Sequence, residues 1–114
     1  MGEKKILPGN TPMMVLSLLI EREKYGWEII KELAEKSSNQ FNFQKGALYP
    51  ILYGLENEGY VVSESRSVGI RQIRKYYSIT ARGKEHLEKK LAEWEAYTSA
   101  VNNIIKGGMK YATT

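Results

Sequence analysis

Residues 44–83, QKGALYPILYGLENEGYVVSESRSVGIRQIRKYYSITARG, constrain the fold of this chain more than any other stretch. Leu48, Ile51, Leu52 and Leu55 recur at i, i+3, i+4 and i+7, a spacing that buries one side of a helix, here over about residues 45–58. Pro50 is a local conflict, because it removes one backbone donor, but it falls near the helix start and the periodic pattern outvotes it. Glu58-Gly59 then ends the helix, with glycine where a left-handed cap is needed. Two strand patterns follow, residues 60–66 and 72–80, around a loop Ser67-Val68-Gly69-Ile70. In the second strand Ile73, Lys75, Tyr77 and Ile79 share one face, while Arg74 and Tyr76 point the other way. Between positions 66 and 84 stand Arg66, Arg71, Arg74, Lys75, Arg82 and Lys84, with no acidic residue among them.

A helix, a tight turn and a hairpin of one charge sign have the form of a recognition helix and wing, the winged helix-turn-helix that docks on duplex DNA. The segment before it fits. Thr11-Pro12 reads as an N-cap followed by proline at the first helical position. The run MMVLSLLIERE continues that helix and is apolar nearly all round, as a central core helix is. Tyr25-Gly26 breaks it. A second, amphipathic helix spans about residues 27–36, with Ile29, Ile30 and Leu33 on one face, and Ser37-Ser38-Asn39 stops it. Phe41 and Phe43 follow in a connection that packs them on the core. The predicted fold class is mainly α with a small β-hairpin, one winged-helix domain over residues 1–80.

Beyond the hairpin, Thr80 caps a long last helix over about residues 81–106. Leu87, Leu91, Trp94, Thr98, Val101 and Ile105 alternate along it in steps of four and three, a heptad seam. This helix has no partner left in its own domain, so the seam predicts a homodimer through helix pairing. An apolar content of 42% with a mean hydropathy of −0.44 agrees, because such a chain has little apolar surface to bury alone. Gly107-Gly108 is expected to end the helix and leave residues 107–114 as a flexible tail.

Composition excludes most other activities. There is no cysteine and one histidine, His86, so the nitrogen or sulfur ligands of a zinc site are not available. His86 lies among Lys84, Glu85, Glu88 and Lys89 and reads as a solvated surface residue rather than a catalytic base. No glycine-rich phosphate loop occurs. The chain reads as no enzyme and as needing no cofactor. No run reaches the roughly 18 apolar residues of a membrane span, and the absence of cysteine suits a reducing compartment, so a cytoplasmic location without membrane contact is expected.

Phosphate contacts require cationic and hydroxyl donors at spaced positions, and base reading requires a narrow helix end. Gln44, Lys45, Ala47, Tyr49 and Tyr53 fall largely off the apolar side of the third helix and are the candidate groove contacts. Arg71, Arg74 and Lys75 are the candidate wing contacts, to flanking phosphates or the minor groove. Lys4 and Lys5 in the polar start may be read as further phosphate donors. Trp94 carries two readings: plain dimer core, or one wall of a site where two symmetry-related indoles hold a planar hydrophobic effector, with Met13 lining it from the first helix.

In order and spacing these elements resemble the PadR family of bacterial transcriptional regulators, in its short subfamily. The residues that carry the resemblance are Tyr25-Gly26-Trp27-Glu28-Ile29, Leu48-Tyr49-Pro50 with Leu52, Leu55-Glu56 and Glu58-Gly59-Tyr60. Gly69 to Arg71, Arg74-Lys75-Tyr76-Tyr77, Ile79-Thr80 and Gly83 extend it through the wing. The resemblance implies a homodimeric repressor on a palindromic operator in double-stranded DNA, dimerised by its last helix. It also implies planar ligands held between paired tryptophans, for which Trp94 looks like the matching position. The chain departs from the family at Gln44, where Ser or Asn is common, and at Ala47, where Thr is. The alternative is a winged-helix module for protein or ligand binding without specific DNA binding.

Overall fold

The computed structural model describes residues 9–112. Seven elements follow in order: α1 (Thr11–Glu21), β1 (Lys24–Tyr25), α2 (Gly26–Lys36), α3 (Lys45–Asn57), β2 (Val61–Gly69), β3 (Gln72–Ile79) and α4 (Ala81–Ala112). The three strands form one antiparallel sheet in the order β1-β3-β2. Mainly helical content with this small sheet and long last helix is the class expected from the periodicities. The two-residue strand β1 is an addition: the Tyr25-Gly26 break in the helical pattern is used to pair Lys24 with Tyr77 and Tyr25 with Tyr76.

One face of each helix meets in a single core. Val15, Leu16 and Leu19 of α1, Ile29 of α2 and Leu48 and Leu52 of α3 are at most 2% exposed, and Val61, Tyr77 and Phe43 close the cluster. Burial of aliphatic side chains contributes about 1.5–3 kcal/mol apiece and is what holds α3 against the rest. Helix α1 begins on Asn10 rather than on a Thr11 cap: Asn10 is the N-cap residue and its carbonyl accepts from Met14 N–H at 3.1 Å. Thr11 is instead the first helical residue and is buried, 1% exposed, and Pro12 still falls in the first turn, where its missing N–H is no loss.

Helix α3 keeps Pro50 in its interior. The single donor lost there would have served Gly46, which is exposed, so water can satisfy that carbonyl and the cost stays small. Gly59 ends α3 at φ +82°. Its N–H donates to Glu56 O at 3.0 Å, and Tyr60 N–H donates to Leu55 O at 2.9 Å, the paired bonds of a Schellman turn. That turn aims β2 back along the core.

The wing is longer and its tip tighter than the periodicity suggests. β2 continues through Ser67 to Gly69, a register shift between Ser67 and Gly69 absorbs Val68, and the turn is Ile70-Arg71 alone. At the wing's exit Thr80 Oγ1 accepts from Gly83 N–H at 2.9 Å and donates to Gly59 O at 2.7 Å, so one side chain caps α4 and ties it to the α3 turn. A cap of this kind contributes about 1 kcal/mol.

Helix α4 does not stop at Gly107-Gly108; it runs through both to Ala112. Glycine lowers helix propensity by about 1 kcal/mol relative to alanine but keeps its N–H, so it interrupts nothing unless the chain takes a positive φ there. Only Gly59 and Gly69 among the described glycines do. Residues 107–112 are therefore helix, not tail. At 32 residues and about 1.5 Å per residue, α4 is about 48 Å long, in a molecule whose longest dimension is 66 Å.

Candidate nucleic-acid interface

The alternation of β3 separates its side chains into an inner and an outer set. Tyr77 turns inward, 4% exposed, beside Lys24, which is fully buried and paired with Glu21 (2.8 Å) and Glu32 (3.2 Å). On the outer face Tyr25, Tyr76 and Glu64 lie on one rung, and Arg74 and Arg66 on a neighbouring one. The arginines lie over the rings. Arg66 sits 4.5 Å from the Tyr76 ring centre and Arg74 4.3 Å from that of Tyr25, each cation–π contact contributing about 0.5–1 kcal/mol at an exposed site.

The six basic residues of the wing segment do not all serve the same purpose. Arg66 is held by two carboxylates. It makes a bidentate pair with Glu23, through Nη1 to Oε2 and Nη2 to Oε1, and its Nη2 also reaches Glu64 at 2.8 Å. These bonds raise the Arg66 pKa further and hold the Glu23 carboxyl below its ordinary range. Arg82 donates through Nε to Glu58 O at 2.8 Å and lies 5.3 Å from the Tyr60 ring, so it supports the end of α3. Arg71, Arg74 and Lys75 of the hairpin, with Lys84 exposed on the first turn of α4, remain for an outside anion.

A concavity of about 640 Å³ opens between the start of α2, the start of α3 and β3. It gathers Lys45 and Tyr49 from α3 with Arg74 and Lys75 from the wing, four expected contact residues on two elements. Its walls also include Tyr25, Gly26 and Trp27, which the sequence reading did not single out for binding. Three cations and no carboxylate line it. Gly26 makes room there: a Cβ would fall on the Tyr49 hydroxyl, with the ring carbon bearing that hydroxyl 2.9 Å away, and would push the ring off α2. The bare backbone of α2 thus lets Tyr49 lie across it.

The other expected contacts fall elsewhere. Gln44 is the exposed N-cap of α3, and Tyr53 is 70% exposed one turn beyond Tyr49. Arg71 is exposed at the wing tip with φ 62°. Ala47 is half-buried and packs on the core, so only part of its methyl surface faces outward from α3. Lys4 and Lys5 lie outside the described residues.

A second groove, about 440 Å³, runs along α4 and brings Met13 and Trp94 together with Pro12, His86 and Lys90. His86 is not the free surface residue expected. It is half-buried and stacks on Tyr60, ring centres 4.0 Å apart at 11°, because the turn after α3 lies directly against the first turns of α4. Along the seam, Leu91 and Trp94 are 39% and 40% exposed and Ile105 is 54% exposed. Thr98 donates its hydroxyl to Trp94 O at 3.0 Å, leaving its methyl for packing, and Val101 is half-buried. Leu87 is a correction: it is 4% exposed within its own domain's core, since the first turns of α4 pack on α1, and it has no surface to give a second chain.

Among the described residues no helix is long and apolar enough to cross a membrane, and no group of three or more His, Cys, Asp or Glu could hold a metal ion.

The same architecture recurs in solved proteins. A transcriptional regulator of Clostridium thermocellum is 33% identical, with 83% of this chain and 92% of that chain covered at a TM-score of 0.77. A PadR family transcriptional regulator of Eggerthella lenta is 32% identical, covering 85% of this chain and 82% of its own, at a TM-score of 0.76. A PadR-like transcriptional regulator of Bacillus cereus is 26% identical over 90% of this chain and 97% of that one, also at 0.76. The family model for PadR-like transcriptional regulators matches residues 15–89, from the middle of α1 through the wing into α4. With recognition helix, wing and cationic concavity in that span, the chain belongs to the PadR-like family of transcriptional regulators and is a DNA-binding regulator rather than an enzyme.

Proposed function

We propose that this chain is a cytoplasmic, homodimeric repressor that binds a palindromic operator and releases it when a planar hydrophobic molecule occupies the groove beside α4. The observation that carries the reading is the pairing of two unsatisfied surfaces on one chain. One is the cationic concavity shared by α3 and the wing, and the other is the open seam of α4. A helix that leaves Leu91, Trp94 and Ile105 substantially exposed on a protruding segment needs a partner, and a second copy supplies a complementary seam. Two α3 helices then address successive major grooves, about 34 Å apart. Lys45, Tyr49 and Tyr53 would meet the groove and its phosphates, with Arg71, Arg74 and Lys75 on the flanking backbone. Lys4 and Lys5 would add phosphate contacts by charge alone.

The effector reading rests on Met13 and Trp94 lining one groove next to that seam. A ligand there loosens DNA only by the ratio of its affinities for the two spacings of α3, so a tenfold release requires a tenfold preference, about 1.4 kcal/mol. In vitro transcription from a promoter carrying the operator tests repression, with transcript falling as protein is added; a rising transcript would make it an activator. Affinity measured at stepped salt should fall linearly on logarithmic axes. Arg74→Ala should weaken binding on every sequence and reduce that slope by about one. Salt-independent binding would favour a protein-interaction module instead.

A further inference from the structure

We propose that Trp27 is a DNA-contacting residue, its indole lying against the phosphodiester backbone that enters the concavity between α2, α3 and β3. This rests on the DNA-binding reading and gives a partner to a large aromatic which that reading leaves unused. Trp27 stands on the first turn of α2 and is 51% exposed. It is a wall between two clefts that differ in charge balance. On one side lies the concavity of Lys45, Tyr49, Arg74 and Lys75, with no carboxylate. On the other lies a cleft in which Glu21, Glu28, Glu32 and Glu35 stand with Arg22, Lys31 and Lys36, the Lys31 ammonium 5.2 Å from the indole centre. A polyanion is drawn to the uncompensated cations of the first cleft and not to the nearly balanced second, so it meets the indole from the side of the first.

The ring is also positioned for that contact. Trp27 stacks on Tyr25 at 6.3 Å and 20°, and Tyr25 in turn lies under Arg74 at 4.3 Å. An aromatic chain thus links the indole to a wing cation, and a ring so held loses little freedom when it binds. An indole offers one N–H donor for a phosphate oxygen and an apolar face for a deoxyribose. Neither reads a base, so the contribution is uniform across sequences.

Trp27 and Trp94 are the two tryptophans of the chain, so Trp94→Phe isolates the emission of Trp27. Titrating that variant with two unrelated short duplexes, while the anisotropy of a labelled duplex reports binding by the same variant, should shift and quench Trp27 emission as anisotropy rises. Added salt should reverse both together. In the otherwise unaltered chain, Trp27→Ala should lower affinity about tenfold on both duplexes, the worth of one charge-assisted hydrogen bond. Trp27→Phe should lose less, and circular dichroism should report unchanged helix for both. Emission that stays unmoved while duplex is bound, or full affinity in Trp27→Ala, overturns the role of Trp27 and leaves the DNA-binding reading standing. An emission shift with inorganic phosphate but none with duplex assigns the cleft to a small anion and also overturns it. Failure of the unaltered chain to bind duplex removes the DNA-binding reading and this inference together.

Discussion

Arg71 occupies the second central position of the Ile70-Arg71 turn at φ 62°, a conformation glycine adopts freely and an arginine side chain does not. A non-glycine residue held there costs on the order of 1 kcal/mol. A wing selected only for stability would place glycine or asparagine at this point. The cation is kept at the wing tip, which argues that the guanidinium has a use beyond the hairpin. Arg71→Gly is therefore expected to raise the melting temperature slightly and to weaken duplex binding, with the salt slope lower by about one. Thermal melts and anisotropy on one preparation measure both; a variant that loses stability and keeps affinity contradicts this. Residue-level roles were the hardest to read from the chain. The shared surface position of Lys45, Tyr49, Arg74 and Lys75, though not their role, was legible because basic and hydroxyl donors recur on the polar sides of predictable elements. Arg66 was not, since its counter-charges are Glu64 on its own strand and Glu23, 43 residues back in sequence. Fully buried Lys24 was equally hidden: a lysine normally reads as surface, and only the pairing of β1 with β3 takes this one inside.

At the scale of elements, periodicity placed α1, α2, α3 and the hairpin, because each buries one regular stripe. It missed β1, which is two residues long and has no period, and it ended α4 six residues short because glycine was given more stopping power than its N–H warrants. The wing shows how elements are joined by charge rather than by apolar packing. Its β2 strand is tied to the connection between α1 and β1 through Arg66 and Glu23, with Tyr76 beneath the guanidinium. Glu23 has a depressed pKa, chiefly from the Arg66 hydrogen bonds. A carboxyl with a lowered folded pKa stabilises above its unfolded value, near 4.3 for glutamate, and that contribution is lost as pH falls through the folded value. The wing brace is thus fully present at neutral pH and released only in acid. Ring proton shifts of Tyr76 should report a transition below about pH 4, and Glu23→Gln should abolish it. A flat Tyr76 profile in the unaltered chain would mean the brace does not orient the wing.

The whole molecule divides at Leu87. Up to that residue α4 belongs to the winged-helix core; beyond it the helix carries Leu91, Trp94, Thr98, Val101 and Ile105 outward on a segment that contacts little of its own chain. The heptad spacing made this seam visible, but the sequence could not show that its first member is already used inside the domain. The division separates two kinds of substitution. Leu87→Ala opens a cavity in the core and should destabilise the domain by about 2–5 kcal/mol. Val101→Glu touches no core residue and should leave the unfolding of each domain nearly unchanged. In a dimer it would instead set two carboxylates across the seam, where burying unpaired like charges is costly. Sedimentation velocity should then show a monomer at concentrations where the unaltered chain is a dimer. Duplex affinity should fall about a hundredfold or more, because joining two reading heads makes the second contact intramolecular. Binding that remains should be to single half-sites, with roughly half the salt slope, since each chain carries its own concavity and wing. If Val101→Glu binds an intact palindrome as tightly as the unaltered chain, α4 does not couple the two heads, and the open seam on this helix must be covered by something other than a second copy.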